Sequence, residues 1–401
     1  MVLGLTFGLS MLIISAVANA AQWSLAPEIE ANGRYEDNPR LSETGDENEI
    51  WGGALDLSLT GERKTERSSI SFRPRLYMDR YDDSDEDSDD QFLDIYATTQ
   101  GQRSVFRLNG NLSNEQVRRG EVSTVEFSES ELDETDESDS GRIDRRRDRF
   151  RWRVRPEYIF DLTRRTKLGT AAQYIDVDYN NEVPGEALDY TDSSVELFIS
   201  RVLSEKSEIR LTAFGSKYES DEISNDSQSY GGKLTYQNDA TETFSWYAEA
   251  GAQSTDVEAG DDNQIDDTTT SYVFGAGAER KWERTRLRAE INRSVDPSGT
   301  GFLKTRDLIR VNLRRQIRPR LFGELGVVAL TEDDVDDTLE VNQRDYARGA
   351  AKLSWQLKPE WFLEAGYAYT YQDYNDTPGD ADSNEFLLGV VFRPTAKRWS
   401  R

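Results

Sequence analysis

The 401-residue chain has a formal net charge of -27, 31% charged residues, no His and no Cys. The absence of Cys removes disulfides, thiolate metal sites and thiol nucleophiles, and the absence of His removes the commonest catalytic base, so no enzymatic activity is expected. The 8 Trp, 18 Tyr and 16 Phe exclude a solvating polyelectrolyte, because that many rings need an apolar surface to rest on.

Residues 1–20 hold an apolar stretch from Leu3 to Val17 followed by Ala18, Asn19 and Ala20, the small-x-small pattern that a signal peptidase cuts. A signal peptide is expected there, with export through the inner membrane and a mature chain from Ala21. After Ala20 no segment approaches the ~20 consecutive apolar residues of a membrane-crossing helix, and mean hydropathy is -0.76.

The remainder alternates with period two, the mark of half-buried strands. Strands are predicted at 23–35, 49–60, 68–81, 91–101, 104–114, 149–162, 166–179, 190–202, 207–219, 228–237, 242–254, 268–280, 284–295, 303–316, 320–331, 344–357, 360–374 and 384–393. An even number returns both termini to one side, as bacterial single-chain barrels require. The fold class expected is all-β: a transmembrane antiparallel up-and-down barrel of 16–18 strands over residues 21–394, with 395–401 as a short periplasmic tail.

The connections support this. Those after even strands are short and basic (GERKTER, GQRS, DLTRRTK, KWER, QIRPR), and those after odd strands are long and acidic (DDSDEDSDD, the stretch 115–148, TEDDVDDTLEVNQ). Tight periplasmic turns and long external loops give that asymmetry. The 115–148 stretch is long enough to fold inward as a constriction. The acidic runs lack the Gly-anchored spacing of a calcium loop and read as solvated external segments.

One strand face carries cations repeatedly: Arg73, Arg75, Arg107, Arg149, Arg151, Arg153, Arg155, Arg210, Arg286, Arg288, Arg306, Arg310, Arg314, Arg348, Lys233 and Lys352. Facing lipid, each would cost roughly 2–4 kcal/mol near the midplane, so these residues are expected to line a lumen. Two consequences stand side by side: ladders with luminal Glu28, Glu30, Asp56, Asp94, Glu196, Glu249, Glu290, Glu324 and Glu364, or an anion-attracting strip strongest at 149–155. Trp23, Tyr35, Trp51, Tyr77, Tyr81, Trp152, Trp246, Trp282, Trp355, Trp361 and Tyr374 lie towards strand ends and are expected to form interfacial girdles. Tyr247 and Phe362 are candidates for luminal stacking on sugar rings.

The opening segment APEIEANGRYEDNPRL, with Tyr35, Glu36, Asp37 and Asn38, and the closing EFLLGVVFRP resemble the beta-barrel porin type 2 family, barrels associated with exopolysaccharide and exosortase systems. Phe386, Leu388, Val390 and Phe392 also resemble the assembly signal of outer-membrane proteins, though Phe392 is followed by RPTAKRWSR rather than ending the chain. The resemblance implies an outer-membrane channel, a passive conduit in exopolysaccharide export. Its expected partners are outer-membrane lipid and lipopolysaccharide, the barrel-assembly machinery, periplasmic polysaccharide-export proteins and an anionic polysaccharide. A general or anion-preferring diffusion porin and a structural or adhesive barrel with working acidic loops are the alternatives. No cofactor or metal is expected, and the net charge disfavours nucleic acid.

Overall fold

The computed structural model describes residues 21–42, 48–117, 147–180, 187–220, 225–259, 265–335, 343–374 and 380–400. The expected signal peptide, and all of the 115–148 stretch but its two ends, lie outside the described residues. Eighteen long strands follow one another: β1 (Gln22–Glu36), β2 (Ile50–Lys64), β3 (Ser68–Tyr81), β4 (Ser88–Gln100), β5 (Ser104–Gln116), β6 (Asp148–Asp161), β7 (Thr166–Asn180), β8 (Tyr190–Ser204), β9 (Ser207–Ser220), β10 (Asn225–Thr241), β11 (Phe244–Ala259), β12 (Ile265–Lys281), β13 (Thr285–Asp296), β14 (Lys304–Arg318), β15 (Leu321–Asp334), β16 (Arg344–Lys358), β17 (Trp361–Tyr374) and β18 (Asp380–Phe392). Each pairs antiparallel with its sequence neighbours, and β18 returns to β1 from Ile29↔Phe392 to Glu36↔Glu385, closing the barrel. Closure leaves no edge strand, which is what lets a sheet stand in lipid.

The segment read as a tail from sequence continues the wall. Lys397–Ser400 forms a short strand, β19, that pairs with β1 from Gln22↔Ser400 to Leu25↔Lys397 and stacks Trp399 on Trp23. The last long strand stops at Phe392, and the chain then resumes lower on the same partner.

Loop lengths alternate as the pattern predicts. At one rim the turns are built from hydroxyl residues two or three apart: Thr65 Oγ1 accepts from Ser68 N at 3.0 Å, Thr163 Oγ1 from Thr166 N at 3.0 Å and Ser204 Oγ from Lys206 N at 3.2 Å. A hydroxyl that captures a backbone N–H fixes a tight turn without glycine. The other rim carries the longer links.

Alternation sorts the two faces. Outside are Leu76, Ile95, Leu197, Leu211, Leu234, Ile309, Leu325 and Leu388, all exposed. Phe386, Leu388, Val390 and Phe392 share this outer face, opposite Tyr367, Ala365, Leu363 and Trp361 of β17. Register places Arg73, Arg107, Arg288, Arg310 and Arg348 on the opposite, inner face, whereas near the long-loop ends some charges, such as Arg293 with Asp307 and Lys217 with Glu219, take the outward register.

Candidate functional site: the barrel lumen

On β3, β13, β14 and β16 the predicted Arg and Lys residues take the parity opposite to the exposed Leu76, Ile291, Ile309 and Leu353. Neighbouring strands place inward residues directly opposite one another, so the charges meet across the ladder. Arg73 meets Asp94 at 3.1 Å, Arg75 meets Asp56 at 2.6 Å and Arg107 meets Glu157 at 2.8 Å. On the far wall Arg286 and Arg288 converge on Glu279 at 3.0 and 3.4 Å, and Arg310 meets Glu290 at 2.8 Å. Arg314 and Lys352 share Glu324 at 3.1 and 3.8 Å, Arg348 meets Glu385 at 2.7 Å and Arg210 lies 4.0 Å from Glu208. The wall is thus a lattice of alternating charge.

Strand β6 is the densest part. Arg149 donates to Glu115 at 2.7 Å and Arg155 lies 3.5 Å from Glu196. Between them, Arg151 and Arg153 stand in register with Ser113 and Asn111 on β5 and with Val177 and Ile175 on β7. The residues directly opposite them are polar on β5 and apolar on β7.

The lumen changes character along its length. Side-chain exposure rises from 0% at Arg149 to 44% at Arg155 on β6, from 6% at Arg306 to 32% at Arg314 on β14, and from 2% at Arg344 to 31% at Lys352 on β16. Three strands spread around the wall give the same trend: the short-turn half is a hydrated vestibule and the long-loop half is packed. Within the packed half, Arg306 meets Glu332 at 2.6 Å and Arg344 lies 3.5 Å from the same carboxylate while donating to Gln372.

Part of the packing is apolar, which the sequence reading missed. Ile175, Val177 and Tyr179 of β7, Tyr190 of β8 and Tyr218 of β9 all point inward and cluster with Val117, Ala187, Leu303 and Val335 from the long-loop rim. The signal was present in β7, where the face shared with Lys167 turns apolar exactly where the opposite face acquires Asp176 and Asp178.

Leu303 arrives from far round the wall. The link 297–303 leaves β13 and β14 and reaches inward past β12, β11 and β10 to the β7–β9 wall. There Tyr218 Oη donates to the Ser298 carbonyl at 2.7 Å, Leu188 N donates to the Gly299 carbonyl at 2.7 Å, and Asn225 Nδ2 donates to the Gly301 carbonyl. A Cβ on Gly299 would lie 2.4 Å from the Tyr179 hydroxyl, so a side chain there would displace the Tyr179 ring, and Gly301 has φ 89. This inward strap lies in a different loop from the 115–148 stretch expected to constrict the lumen.

The girdle expectation also needs correction. Tyr77 and Tyr81 are buried inside, and Tyr374 sits on the inward register opposite Arg344. Tyr77 shares the parity of Arg73 and Arg75, which is the rule that decides its face. Trp23, Tyr35, Trp51, Trp152, Trp246, Trp355 and Trp361 face outward as expected. Tyr247 and Phe362 face inward, Tyr247 against Gly277 and Phe362 beneath the Arg393 guanidinium at 5.3 Å. Among the described residues no group of carboxylates is placed to hold a metal ion.

A closed antiparallel wall, apolar outside and charged inside, defines a transmembrane up-and-down β-barrel. No protein-family profile and no curated protein matches the chain. Among solved structures it is similar to Pseudomonas aeruginosa OccK9 (OpdG), at 10% identity over 93% of this chain and 98% of that one, with a TM-score of 0.45. It is also similar to the outer membrane channel DcaP of Acinetobacter baumannii, at 13% identity over 94% and 99% of the two chains with a TM-score of 0.45, and to Pseudomonas aeruginosa OccK3 (OpdO), at 11% identity over 92% and 96% with a TM-score of 0.46.

Proposed function

We propose that this protein is an outer-membrane channel, exported by its N-terminal segment and inserted with the short turns in the periplasm. Its role is that of a passive conduit for an anionic, hydroxyl-rich polymer such as an exopolysaccharide, delivered by periplasmic export proteins. The observation that carries this reading is the luminal wall: a lattice of paired Arg and Asp or Glu, exposed in the short-turn half. Paired charges present many hydrogen-bonding groups with little net field, which suits a neutral-to-anionic carbohydrate chain that must slide rather than stick. The resemblance of the opening and closing segments to barrels of exopolysaccharide systems points the same way.

The orientation is supported by the short-turn and long-link asymmetry of the two rims. Cations rest on rings at the short-turn rim, with Arg63 over Trp23 at 5.8 Å and Arg280 over Trp282 at 4.9 Å, as at a headgroup interface. Tags inserted near Ser84, Thr135 or Asp262 should be reachable on intact cells and tags near Lys64 or Arg164 should not; equal labelling would overturn the assignment.

The function is tested in planar bilayers. The purified barrel should conduct intermittently, and an anionic oligosaccharide added on the short-turn side should block the current. Replacing Arg151, Arg153 and Arg155 together by Gln should preserve conductance while reversal potentials under a salt gradient move away from anion preference. Conductance with no oligosaccharide block leaves the diffusion porin as the function, and no conductance at all leaves a structural barrel.

A further inference from the structure

The long-loop half of the lumen contains something a polar conduit has no use for in its open state: an apolar patch of Val177, Tyr179, Tyr190 and Tyr218 on the inner wall. Such a patch is stable only while covered. It is covered by Leu303 of the strap and by Val335, whose backbone N–H donates to the Leu303 carbonyl at 3.2 Å. We infer that the strap 297–303 is a displaceable closure seated on this patch, and that passage through the barrel requires it to leave its seat.

Three features distinguish a seated closure from a fixed part of the wall. The strap lies outside the strands, β13 ending at Asp296 and β14 beginning at Lys304, and its last residue, Leu303, is tied to the end of β15 by the Val335 N–H. Its hydrogen bonds to the opposite wall include those from the Tyr218 and Asn225 side chains and the Leu188 backbone N–H, each modest in net worth, whereas neighbouring strands such as β10 and β11 are joined by a ladder running nearly their whole length. Elements with few ladder bonds open locally at far lower cost than the body they lie on. It also sits at the packed end of the exposure gradient, so lifting it joins the hydrated vestibule to the outer rim. The Tyr218 hydroxyl is the latch and Gly299, fitted against the Tyr179 ring, marks its seat.

The inference rests on the conduit reading for its purpose but not for its test. The chain has no native Cys, so thiol chemistry reports only engineered positions. Leu188→Cys and Thr300→Cys flank the Leu188–Gly299 contact and are tied by oxidation or by a short thiol crosslinker. Val177→Cys alone, beneath the strap, should be labelled slowly by a maleimide added on the long-loop side. Its labelling should fall about tenfold or more in the tied variant, since a locally opening element no longer exposes what lies under it. Conductance should fall with it, and reductant should restore both in the disulfide-tied form. Tyr218→Phe removes only the latch and should speed Val177→Cys labelling while leaving the barrel spectrum unchanged.

Labelling of Val177→Cys that is equally fast with the strap tied, or absent in both forms, overturns the closure. Conductance in the tied barrel equal to that of the parent overturns it too. If the parent never conducts yet tying slows labelling, the moving strap stands and the conduit reading fails.

Discussion

The two halves of the lumen are made from the same residue types and behave differently. In the short-turn half, Arg107 and Glu157 meet at 2.8 Å on a wall open to solvent; in the long-loop half, Arg306, Arg344 and Glu332 meet at 2.6 and 3.5 Å among buried neighbours. Water screens the first pair and is excluded from the second group. A ladder of charges is therefore two things at once: a hydrated surface for a permeant at one end and a structural clamp at the other.

The sharpest way to break this comparison is to neutralise one carboxylate in each half. Glu332→Gln leaves Arg306 and Arg344 buried with a lost counter-charge and should cost about 3–5 kcal/mol. It should be seen as a clear drop in the temperature at which the folded, heat-modifiable gel band is lost. Glu157→Gln faces water and should cost no more than about 1 kcal/mol. Equal losses would show that the exposure gradient does not govern the wall.

Tyr218→Phe probes the same boundary at a smaller scale. It leaves the buried Ser298 carbonyl without its donor, and a loss of about 1–2 kcal/mol is expected in urea unfolding, coupled to faster labelling beneath the strap. Smallest of all is Arg155→Gln. Its partner Glu196 lies 3.5 Å away and both are partly exposed, so stability should move by less than about 1 kcal/mol while the reversal potential shifts measurably. A stability change without a selectivity change would make Arg155 part of the clamp instead of the permeation surface.

Much of the wall was legible from the chain alone. Period-two alternation, short basic turns and acidic long links located all eighteen long strands to within a few residues, because in a barrel each residue has only two possible surroundings and lipid tolerates few charges. Parity sets the predicted strand arginines on the face opposite the exposed apolar side chains. The same parity rule, not applied to Tyr77, Tyr81 and Tyr374, would have kept them out of the girdle.

What the sequence by itself determined is the face each strand residue occupies, since that depends only on its neighbours along the chain and on the medium outside. What only the tertiary structure decided is everything inside the closed wall. Nothing local in Asp296–Lys304 says that Ser298 will reach Tyr218 or that Leu303 will join Val177, because those contacts exist only once the barrel brings β7, β8 and β9 across from β13 and β14. Nor does spacing distinguish Arg149 from Arg155, two inward arginines on one strand. Their difference arises because the strap 297–303 and the apolar cluster pack one end of the lumen, while the side chains at the other end stay exposed.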